Sequence, residues 1–285
     1  MKIKHILVVG SGIMGSGIAY ASAVGGFETT VYDIEDESLD KARAYHQEML
    51  QKGVHRNKIS KETQATAIEN LNYSTDLKES AEKADFVIEA VPEVQKIKQD
   101  VFEKLDQYAR EDVILATNTS TMSPTEIGSY TNRPEKVIAM HFFNPVPLMK
   151  LVEIARGLET SDETAELVEA VAKQMGKETV LINEMPGFVT SRISSMVGNE
   201  AFNMLMEGVG TPEEIDKAIE IGLNYPMGPF KLGDLVGLDT RLSNLEYLHS
   251  TLGDRFRPSQ LLVKYVKAGR LGRKTGKGVY DYNDN

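Results

Sequence analysis

His141 is the residue of this sequence best placed for acid–base chemistry. The chain contains five histidines: His5, His46, His55, His141 and His249. The other four precede a strand, lie among charged residues or lie on a late helix, where surface or satisfied core histidines are common. His141 instead closes the apolar run at residues 137–140 and is followed by Phe-Phe-Asn-Pro. Ligands of doubly wound sheets bind beyond the carboxyl ends of strands, and imidazole titrates near neutral pH. We therefore predict that His141 is a general acid/base.

Glu153 is a candidate partner for that histidine. It lies 12 residues after His141 in an alternating run, residues 150–154, which predicts a strand that returns after the turn at residues 145–147. Such a return would place the carboxylate beside the imidazole, where it would fix the ring tautomer and stabilise the imidazolium. An ordinary glutamate on a strand face fits the spacing equally well.

The segment Asn118-Thr119-Ser120-Thr121 follows another apolar run, residues 113–116, and forms a second strand-end loop of small polar side chains. Serine and threonine are common in caps and turns. The same side chains could also donate hydrogen bonds to a reacting oxygen.

The motif Gly10-Ser11-Gly12-Ile13-Met14-Gly15 predicts a phosphate-binding turn. It directly follows a strand and opens a helix of small residues, as the dinucleotide-binding fingerprint requires. Gly10 permits the tight turn, Gly12 lets the backbone approach a pyrophosphate, and Gly15 lets the helix pack closely on the strand. The N–H groups at the start of this helix, at Ile13 and Met14, would then face the phosphates.

Asp33 ends the second predicted strand, where an acidic residue would bind the ribose hydroxyls of a dinucleotide. No arginine stands beside it to receive a 2′-phosphate, so we expect NAD rather than NADP as the cofactor. FAD uses the same turn, and an NAD-sensing protein without catalysis would share it.

These candidate residues depend on a strand–helix alternation that runs through the first part of the chain. Strand-like runs occur at residues 6–9, 29–32, 86–90, 113–117, 137–141 and 180–182, and helical patterns occur at residues 37–51, 93–109 and 162–175. This order predicts an α/β, Rossmann-like, doubly wound sheet. After Asn183 only helical patterns remain, with a long helix from about Phe188 to Glu207. We therefore expect an NAD-binding domain at residues 1–184 and an all-α domain at residues 185–285 that contributes to a substrate cleft. Apolar residues of the helical domain would form either a homodimer interface or core packing against the first domain: Met196, Val197, Ala201, Met204 and Leu205.

Composition narrows the class of protein. The net charge of −10 disfavours nucleic acid and anionic membranes as partners. The sequence has no cysteine, which excludes disulfides and thiolate metal sites, and we expect no metal. No apolar stretch approaches the ~18 residues of a membrane span, and the N-terminus lacks the features of a signal peptide, so we expect a cytoplasmic protein.

Several motifs together resemble a known family. They are the glycine turn at residues 10–15, Asn118-Thr119-Ser120, His141-Phe142-Phe143-Asn144-Pro145, Pro186-Gly187-Phe188, Pro226-Met227-Gly228-Pro229 and the closing segment at residues 271–280. In order and spacing the chain resembles L-3-hydroxyacyl-CoA dehydrogenases, and within them the short monofunctional bacterial 3-hydroxybutyryl-CoA dehydrogenases. The resemblance covers essentially the whole chain.

The resemblance implies roles for individual residues. His141 corresponds to the family's catalytic histidine, Glu153 to its carboxylate partner and Ser120 to the serine that binds the substrate's 3-oxygen. The implied cofactor contacts are the glycine turn, Asp33, Glu93, Lys98, Asn118, Ser120 and Lys274. From residue type alone, Glu93, Lys98 and Lys274 would be solvated charges.

One position departs from the family pattern. Ser191 stands where the family usually has an active-site asparagine after Pro-Gly-Phe. Serine still donates, but from a shorter side chain, so water, Thr190 or Asn144 would have to compensate. Lys52 and Arg56 are candidates for binding CoA, with a solvated helix end as an equal alternative, and Asn144 is a candidate substrate contact.

The resemblance implies NAD-dependent interconversion of (S)-3-hydroxyacyl-CoA and 3-oxoacyl-CoA, with 3-hydroxybutyryl-CoA as the expected substrate, in fatty acid β-oxidation or butanoate metabolism. It also implies a homodimer. A related NAD-dependent dehydrogenase of a free 3-hydroxyacid, and a non-catalytic NAD-binding protein, are the alternatives.

Overall fold

The computed structural model describes residues 3–283, and the chain divides after Glu184 into two compact units. The strands of the first unit are His5–Val9 (β1), Glu28–Tyr32 (β2), Leu71–Ser74 (β3), Phe86–Glu89 (β4), Ile114–Thr117 (β5), Val137–Phe142 (β6), Leu151–Arg156 (β7) and Glu178–Asn183 (β8). Its α-helices are Ile13–Val24 (α1), Asp36–His55 (α2), Lys61–Asn70 (α3), Leu77–Lys83 (α4), Gln95–Tyr108 (α5), Pro124–Gly128 (α6) and Asp162–Gln174 (α7).

These strands form one sheet in the order β3-β2-β1-β4-β5-β6-β7-β8. Neighbouring strands are parallel except β6 and β7, which are antiparallel. The doubly wound α/β fold predicted from the sequence is confirmed. Because the strand order reverses between β1 and β4, their carboxyl ends form the switch point at which such sheets bind ligands.

Apolar cores on both faces of the sheet explain why its central strands have nearly continuous apolar sequences. Ile6 and Val8 of β1 contribute to one core, and Leu7 and Val9 to the other. All five residues of β1 are buried. These strands are therefore held on both faces, which fixes the positions of the loops that follow them.

The second unit is helical. Its α-helices are Thr190–Glu207 (α8), Pro212–Gly222 (α9), Pro229–Val236 (α10), Leu238–Leu252 (α11) and Gln260–Lys267 (α12). They enclose a core that includes Phe202, Phe230 and Leu245. The prediction that α8 begins at about Phe188 was wrong by two residues, because Phe188 has a positive φ of 46° that a right-handed helix does not admit. None of the described helices is long and apolar enough to cross a bilayer.

Candidate active site

In the glycine turn between β1 and α1, the surrounding backbone requires a glycine at Gly10 and at Gly15, but not at Gly12. Gly10 has φ 101°, and a Cβ there would lie 2.8 Å from the Ala90 carbonyl oxygen. A Cβ on Gly15 would lie 1.8 Å from the Gly10 carbonyl oxygen, which excludes any side chain. At Gly12, no described residue beyond its own stretch of backbone comes within 4 Å of the position that a methyl group would occupy. The described residues therefore place no steric demand on Gly12, and in the dinucleotide-binding fingerprint the glycine at this position lets the backbone approach a pyrophosphate.

Asp33 holds this turn from the end of β2. Its Oδ2 accepts hydrogen bonds from the Ser11 backbone N–H at 2.8 Å and from the Ser11 hydroxyl at 2.6 Å. The first N–H groups of α1 have no acceptor within the helix, and Ser16 N–H, bonded to Gly12 O at 2.8 Å, begins the helical ladder. An open glycine, helix N–H groups and a neighbouring carboxylate are the features that fit a dinucleotide's pyrophosphate and ribose.

His141 and Glu153 are directly opposite each other in the antiparallel pair of β6 and β7. Opposed residues of an antiparallel pair project to the same face of the sheet, which brings their side chains together. His141 Nδ1 lies 2.8 Å from Glu153 Oε2. The His141 residue is 7% exposed and Glu153 is fully buried. The predicted return of the chain to His141 is therefore confirmed.

Two further side chains contact the end of β6. The Phe143 ring lies with its centroid 4.5 Å from that of His141. The Asn118 Oδ1 accepts a hydrogen bond from the Phe142 backbone N–H at 2.9 Å, so the loop after β5 is attached to the residue that follows His141. The polar loop and the histidine, which the sequence placed at two strand ends, are thus on adjacent strands.

Ser120 lies in the loop that follows β5. Its backbone N–H donates to Glu93 Oε1 at 3.0 Å. Glu93 lies in the loop between β4 and α5, not on the helix as its place in the predicted run of residues 93–109 suggested. Its other oxygen, Oε2, lies 3.1 Å from Lys98 Nζ.

Lys98 is not a solvated charge, and that expectation from residue type was wrong. The side chain is 1% exposed, and its Nζ lies 2.8 and 2.9 Å from the two carboxylate oxygens of Glu89. Lys98 shares the buried face of α5 with Phe102 and Leu105. This helical spacing was visible in the sequence and could have indicated that Lys98 is buried.

The charges of Glu93 and Lys98 stabilise each other. Burial alone would raise the pKa of Glu93, but the Lys98 charge and the hydrogen bonds from Thr119 and Ser120 lower that pKa below its usual value. Burial alone would lower the pKa of Lys98, but the charges of Glu89 and Glu93 raise it above its usual value. Both groups are therefore ionised at neutral pH.

Glu89, which closes the apolar strand β4, was not among the residues predicted from the sequence. Its carboxylate is fully buried and also accepts hydrogen bonds from the Val91 backbone N–H at 2.7 Å and the Thr117 hydroxyl at 2.6 Å. A titratable residue at the end of an apolar strand was the signal that identified His141, and the same signal was present here.

The remaining candidates lie on other segments of the chain. Lys52 and Arg56 lie at the end of α2, where Lys52 forms an exposed ion pair with Glu48. Asn144 is exposed in the loop after β6. In the second unit, Ser191 lies in the first turn of α8.

Lys274 also belongs to the second unit, where it is exposed and pairs with Asp239 at 2.7 Å. Among residues 3–283, no group of three or more histidine, aspartate and glutamate side chains could hold a metal ion.

Residues 5–185 match the family described as 3-hydroxyacyl-CoA dehydrogenase, NAD binding domain. Residues 187–282 match the family described as 3-hydroxyacyl-CoA dehydrogenase, C-terminal domain. The two matches follow each other along almost the whole chain.

Individual relatives are similar over their full length. A Bacillus subtilis protein named "Probable 3-hydroxybutyryl-CoA dehydrogenase" is 47% identical over 285 residues, which are 100% of this chain and 99% of that protein. The 3-hydroxybutyryl-CoA dehydrogenase of Clostridioides difficile is 45% identical, with 98% of this chain and 99% of that protein covered. The crystal structure of (S)-3-hydroxybutyryl-CoA dehydrogenase from Ralstonia eutropha has a TM-score of 0.95 at 42% identity, over 99% of this chain and 100% of that chain.

Proposed function

Since the chain belongs to the 3-hydroxyacyl-CoA dehydrogenase family, we propose that it oxidises (S)-3-hydroxybutyryl-CoA to the 3-oxoacyl-CoA with NAD and catalyses the reverse reduction. The names of its relatives support the short acyl chain. The observation that carries the proposal is the buried pair of His141 and Glu153 at the end of β6, with Nδ1 and Oε2 2.8 Å apart.

His141 is the proton-transfer residue in this proposal. Its Nδ1 proton is directed to the Glu153 carboxylate, so Nε2 is the basic nitrogen of the neutral ring and accepts the proton of the 3-hydroxyl group. The negative charge of Glu153 stabilises the imidazolium that results. In the reverse direction the imidazolium returns the proton to the forming alkoxide.

Ser120 is proposed to hold the substrate's 3-oxygen, in the loop whose neighbour Asn118 is bonded to the backbone beside His141. The glycine turn, Asp33, Glu93, Lys98, Asn118 and Ser120 are the proposed cofactor contacts of the first unit. NAD supplies the hydride-transfer chemistry when it is bound. The open space at Gly12 supports this assignment of the turn.

Further contacts are proposed from their family counterparts. Ser191 is a hydrogen-bond donor to the substrate in place of the family's asparagine, and Lys274 is a cofactor contact. Lys52 and Arg56 are candidates for the CoA phosphates, for which two cations one helical turn apart are chemically suited. Asn144 is a candidate substrate contact.

The experiment compares the purified protein's oxidation of NADH with acetoacetyl-CoA and with free acetoacetate, followed by NADH absorbance. We expect turnover with acetoacetyl-CoA and a kcat/KM with acetoacetate lower by about 10³-fold or more, because remote binding energy of CoA contributes to the rate. Equal rates would indicate a dehydrogenase of free 3-hydroxyacids. NADH binding without turnover of either compound would indicate a non-catalytic NAD-binding protein.

The proposal extends to the protein's assembly and setting. We propose a homodimer that acts in the cytoplasm, in fatty acid or butanoate metabolism. The second unit has an apolar groove of about 780 Å³ lined in part by Met196, Met204, Met206 and Ile219, and this surface supports self-association through the second unit. Of the apolar residues of α8 that the sequence offers for a dimer interface, Ala201 is instead fully buried in the unit's own core.

A further inference from the structure

A buried ion triad, formed by Glu89, Lys98 and Glu93, lies beside the carboxyl ends of β4 and β5. Lys98 Nζ lies 2.8 and 2.9 Å from the Glu89 oxygens and 3.1 Å from Glu93 Oε2. The side chains of Glu89 and Lys98 are 0% and 1% exposed, whereas that of Glu93 is 36% exposed. The triad therefore extends from the interior of the first unit to its surface.

Glu89 is the fixed end of the triad. Besides Lys98, its carboxylate binds the Val91 backbone N–H at 2.7 Å and the Thr117 hydroxyl at 2.6 Å. These donors come from the segment that follows β4 and from β5, so the carboxylate is attached to two neighbouring strand ends. A carboxylate with this many donors has little freedom to move, and it fixes the ammonium group that it binds.

Glu93 is the end of the triad that contacts the Ser120 loop, defined here as residues 119–122. Its Oε1 accepts hydrogen bonds from the Thr119 hydroxyl, from the Ser120 backbone N–H at 3.0 Å and from the Thr121 hydroxyl at 3.4 Å. The Thr119 hydroxyl oxygen in turn accepts from the Met122 backbone N–H at 2.8 Å. The conformation of the Ser120 loop thus depends on where Glu93 is held.

We propose that Glu89 is a positioning residue that, through Lys98 and Glu93, sets the Ser120 loop in the conformation needed for substrate binding. The role of Ser120 in substrate binding rests on the proposed function. The effect of Glu89 on the conformation of the Ser120 loop does not depend on that function. Glu89 is fully buried. Its carboxylate accepts two hydrogen bonds from Lys98, and Lys98 in turn holds Glu93, so Glu89 acts on the loop through Lys98 and Glu93. Loss of the Glu89 charge would release Lys98 from the interior and change the position of Glu93.

Two variants separate this positioning from the general cost of a buried charge. Glu89→Gln removes the fixed carboxylate and leaves Lys98 without its fully buried counter-charge. The double variant Glu89→Gln/Lys98→Met replaces both buried charges with neutral side chains of similar length, a change that often preserves stability. It leaves Glu93 without its cationic partner.

Asp106→Asn is the matched control. Asp106 lies on the same helix, α5, and its Oδ1 pairs with Arg133 Nε at 2.8 Å, with both side chains 9% exposed. This variant also breaks a buried ion pair, but at the far end of the helix from Lys98. Its effect on the Ser120 loop should come only from lower overall stability.

The first measurement is amide hydrogen exchange of the peptide that contains the Ser120 loop, in the wild-type chain and the three variants. We expect exchange to be about ten-fold faster in Glu89→Gln and in the double variant, because hydrogen bonds to a charged group are lost, and unchanged in Asp106→Asn. Wild-type exchange in the double variant, or equally fast exchange in Asp106→Asn, would overturn the proposal. Failure of the double variant to fold would overturn it too, because Glu89 would then support the whole unit.

The second measurement is a double-mutant cycle on kcat with acetoacetyl-CoA at saturating NADH. Replacement of Glu89 and Lys98 should reduce kcat in the wild-type background. If these residues act through Ser120, the same replacement in a Ser120→Ala background should reduce kcat by a factor that is about five-fold smaller. The same factor in both backgrounds would reject a link to Ser120. A wild-type chain with a protected loop but no turnover would reject the proposed function and leave the positioning of the loop supported.

Discussion

The imidazole of His141 and the carboxylate of Glu153 show how a strand register creates a pair suited to proton transfer. The two residues are opposite each other in β6 and β7, so their side chains project to the same face of the sheet. In the proposed mechanism the fully buried Glu153 carboxylate accepts the hydrogen bond of the Nδ1 proton, so that Nε2 is the basic site of the neutral ring. The contact between His141 and Glu153 therefore follows from the register of the sheet.

Replacement of Glu153 tests this arrangement. We expect Glu153→Gln to fold and to reduce kcat with acetoacetyl-CoA by about 10²–10⁴-fold, because the amide no longer stabilises the imidazolium and can favour the wrong tautomer. The KM for NADH should change little. A kcat within about two- to three-fold of wild type, the scale of ordinary context effects, would mean that Glu153 has only a structural role.

Single residues could be predicted from the sequence where they end an apolar strand. His141 and the polar loop at residues 118–121 were predicted in this way, the family resemblance singled out Ser120 within that loop, and the alternation around Glu153 indicated its return. His46 shows the limit of prediction from local sequence. It lies among charged residues in the sequence, but it is only 1% exposed. Its ring nitrogens lie 2.8 Å from the Ser16 carbonyl oxygen and 2.8 Å from the Tyr73 hydroxyl. Its partners lie far apart in the chain, and local charge pattern carries no information on them.

At the level of elements, substitutions of two glycines in the turn between β1 and α1 should have opposite effects on stability and on NADH binding. Gly15→Ala should lower the free energy of unfolding by about 1–3 kcal/mol or more, because its methyl group would overlap the Gly10 carbonyl. Gly12→Ala should leave that free energy within about 0.5 kcal/mol of wild type but weaken NADH binding. Denaturant unfolding and NADH fluorescence titration measure the two effects, and tight NADH binding by Gly12→Ala would contradict the assignment of the turn.

His46 connects α2 to α1 and β3, and its ionisation should affect their packing. Burial lowers the pKa of His46 below its usual value, so the unfolded chain takes up a proton first as the pH falls. The contribution of the neutral ring to the free energy of unfolding is therefore complete above the unfolded pKa of about 6.5. As the pH falls below that value, the free energy of unfolding decreases by up to about 1.4 kcal/mol per pH unit.

Denaturant unfolding of the wild-type chain and of His46→Gln, from about pH 7.5 to about pH 5.5, measures this loss. The wild-type chain should lose stability relative to the variant as the pH falls through this range, because only the wild-type chain has the buried imidazole to protonate. A stability difference that is constant with pH would show that His46 does not titrate with unfolding.

Most elements of the first unit could be predicted because their strands are buried on both faces and have continuous apolar sequences. The strand β3 could not, because Leu-Asn-Tyr-Ser has a mixed composition and lies at the edge of the sheet. The start of α5 was predicted too early, because Val94 is extended (φ −126°, ψ 119°) and Glu93 is held by contacts with the loop after β5.

For the whole molecule, we expect sedimentation to give twice the mass of one 31.6 kDa chain. Met206 is 51% exposed and lines the apolar groove of the second unit, so Met206→Asp should shift the protein toward a monomer by placing a charge in an apolar contact. Leu158→Asp, at a 79% exposed site of the first unit, is the control. A wild-type monomer, or a dimer unaffected by Met206→Asp, would argue against association through this groove.

The central claim, that His141 transfers the proton in an NAD-dependent 3-hydroxyacyl-CoA dehydrogenase, is tested most directly with His141→Gln. NADH oxidation with acetoacetyl-CoA and NADH binding should be measured on the same preparation. We expect kcat to fall by about 10²–10⁴-fold, the usual contribution of a general acid/base, while the dissociation constant for NADH stays near the wild-type value. Turnover near the wild-type rate would contradict the assignment of His141.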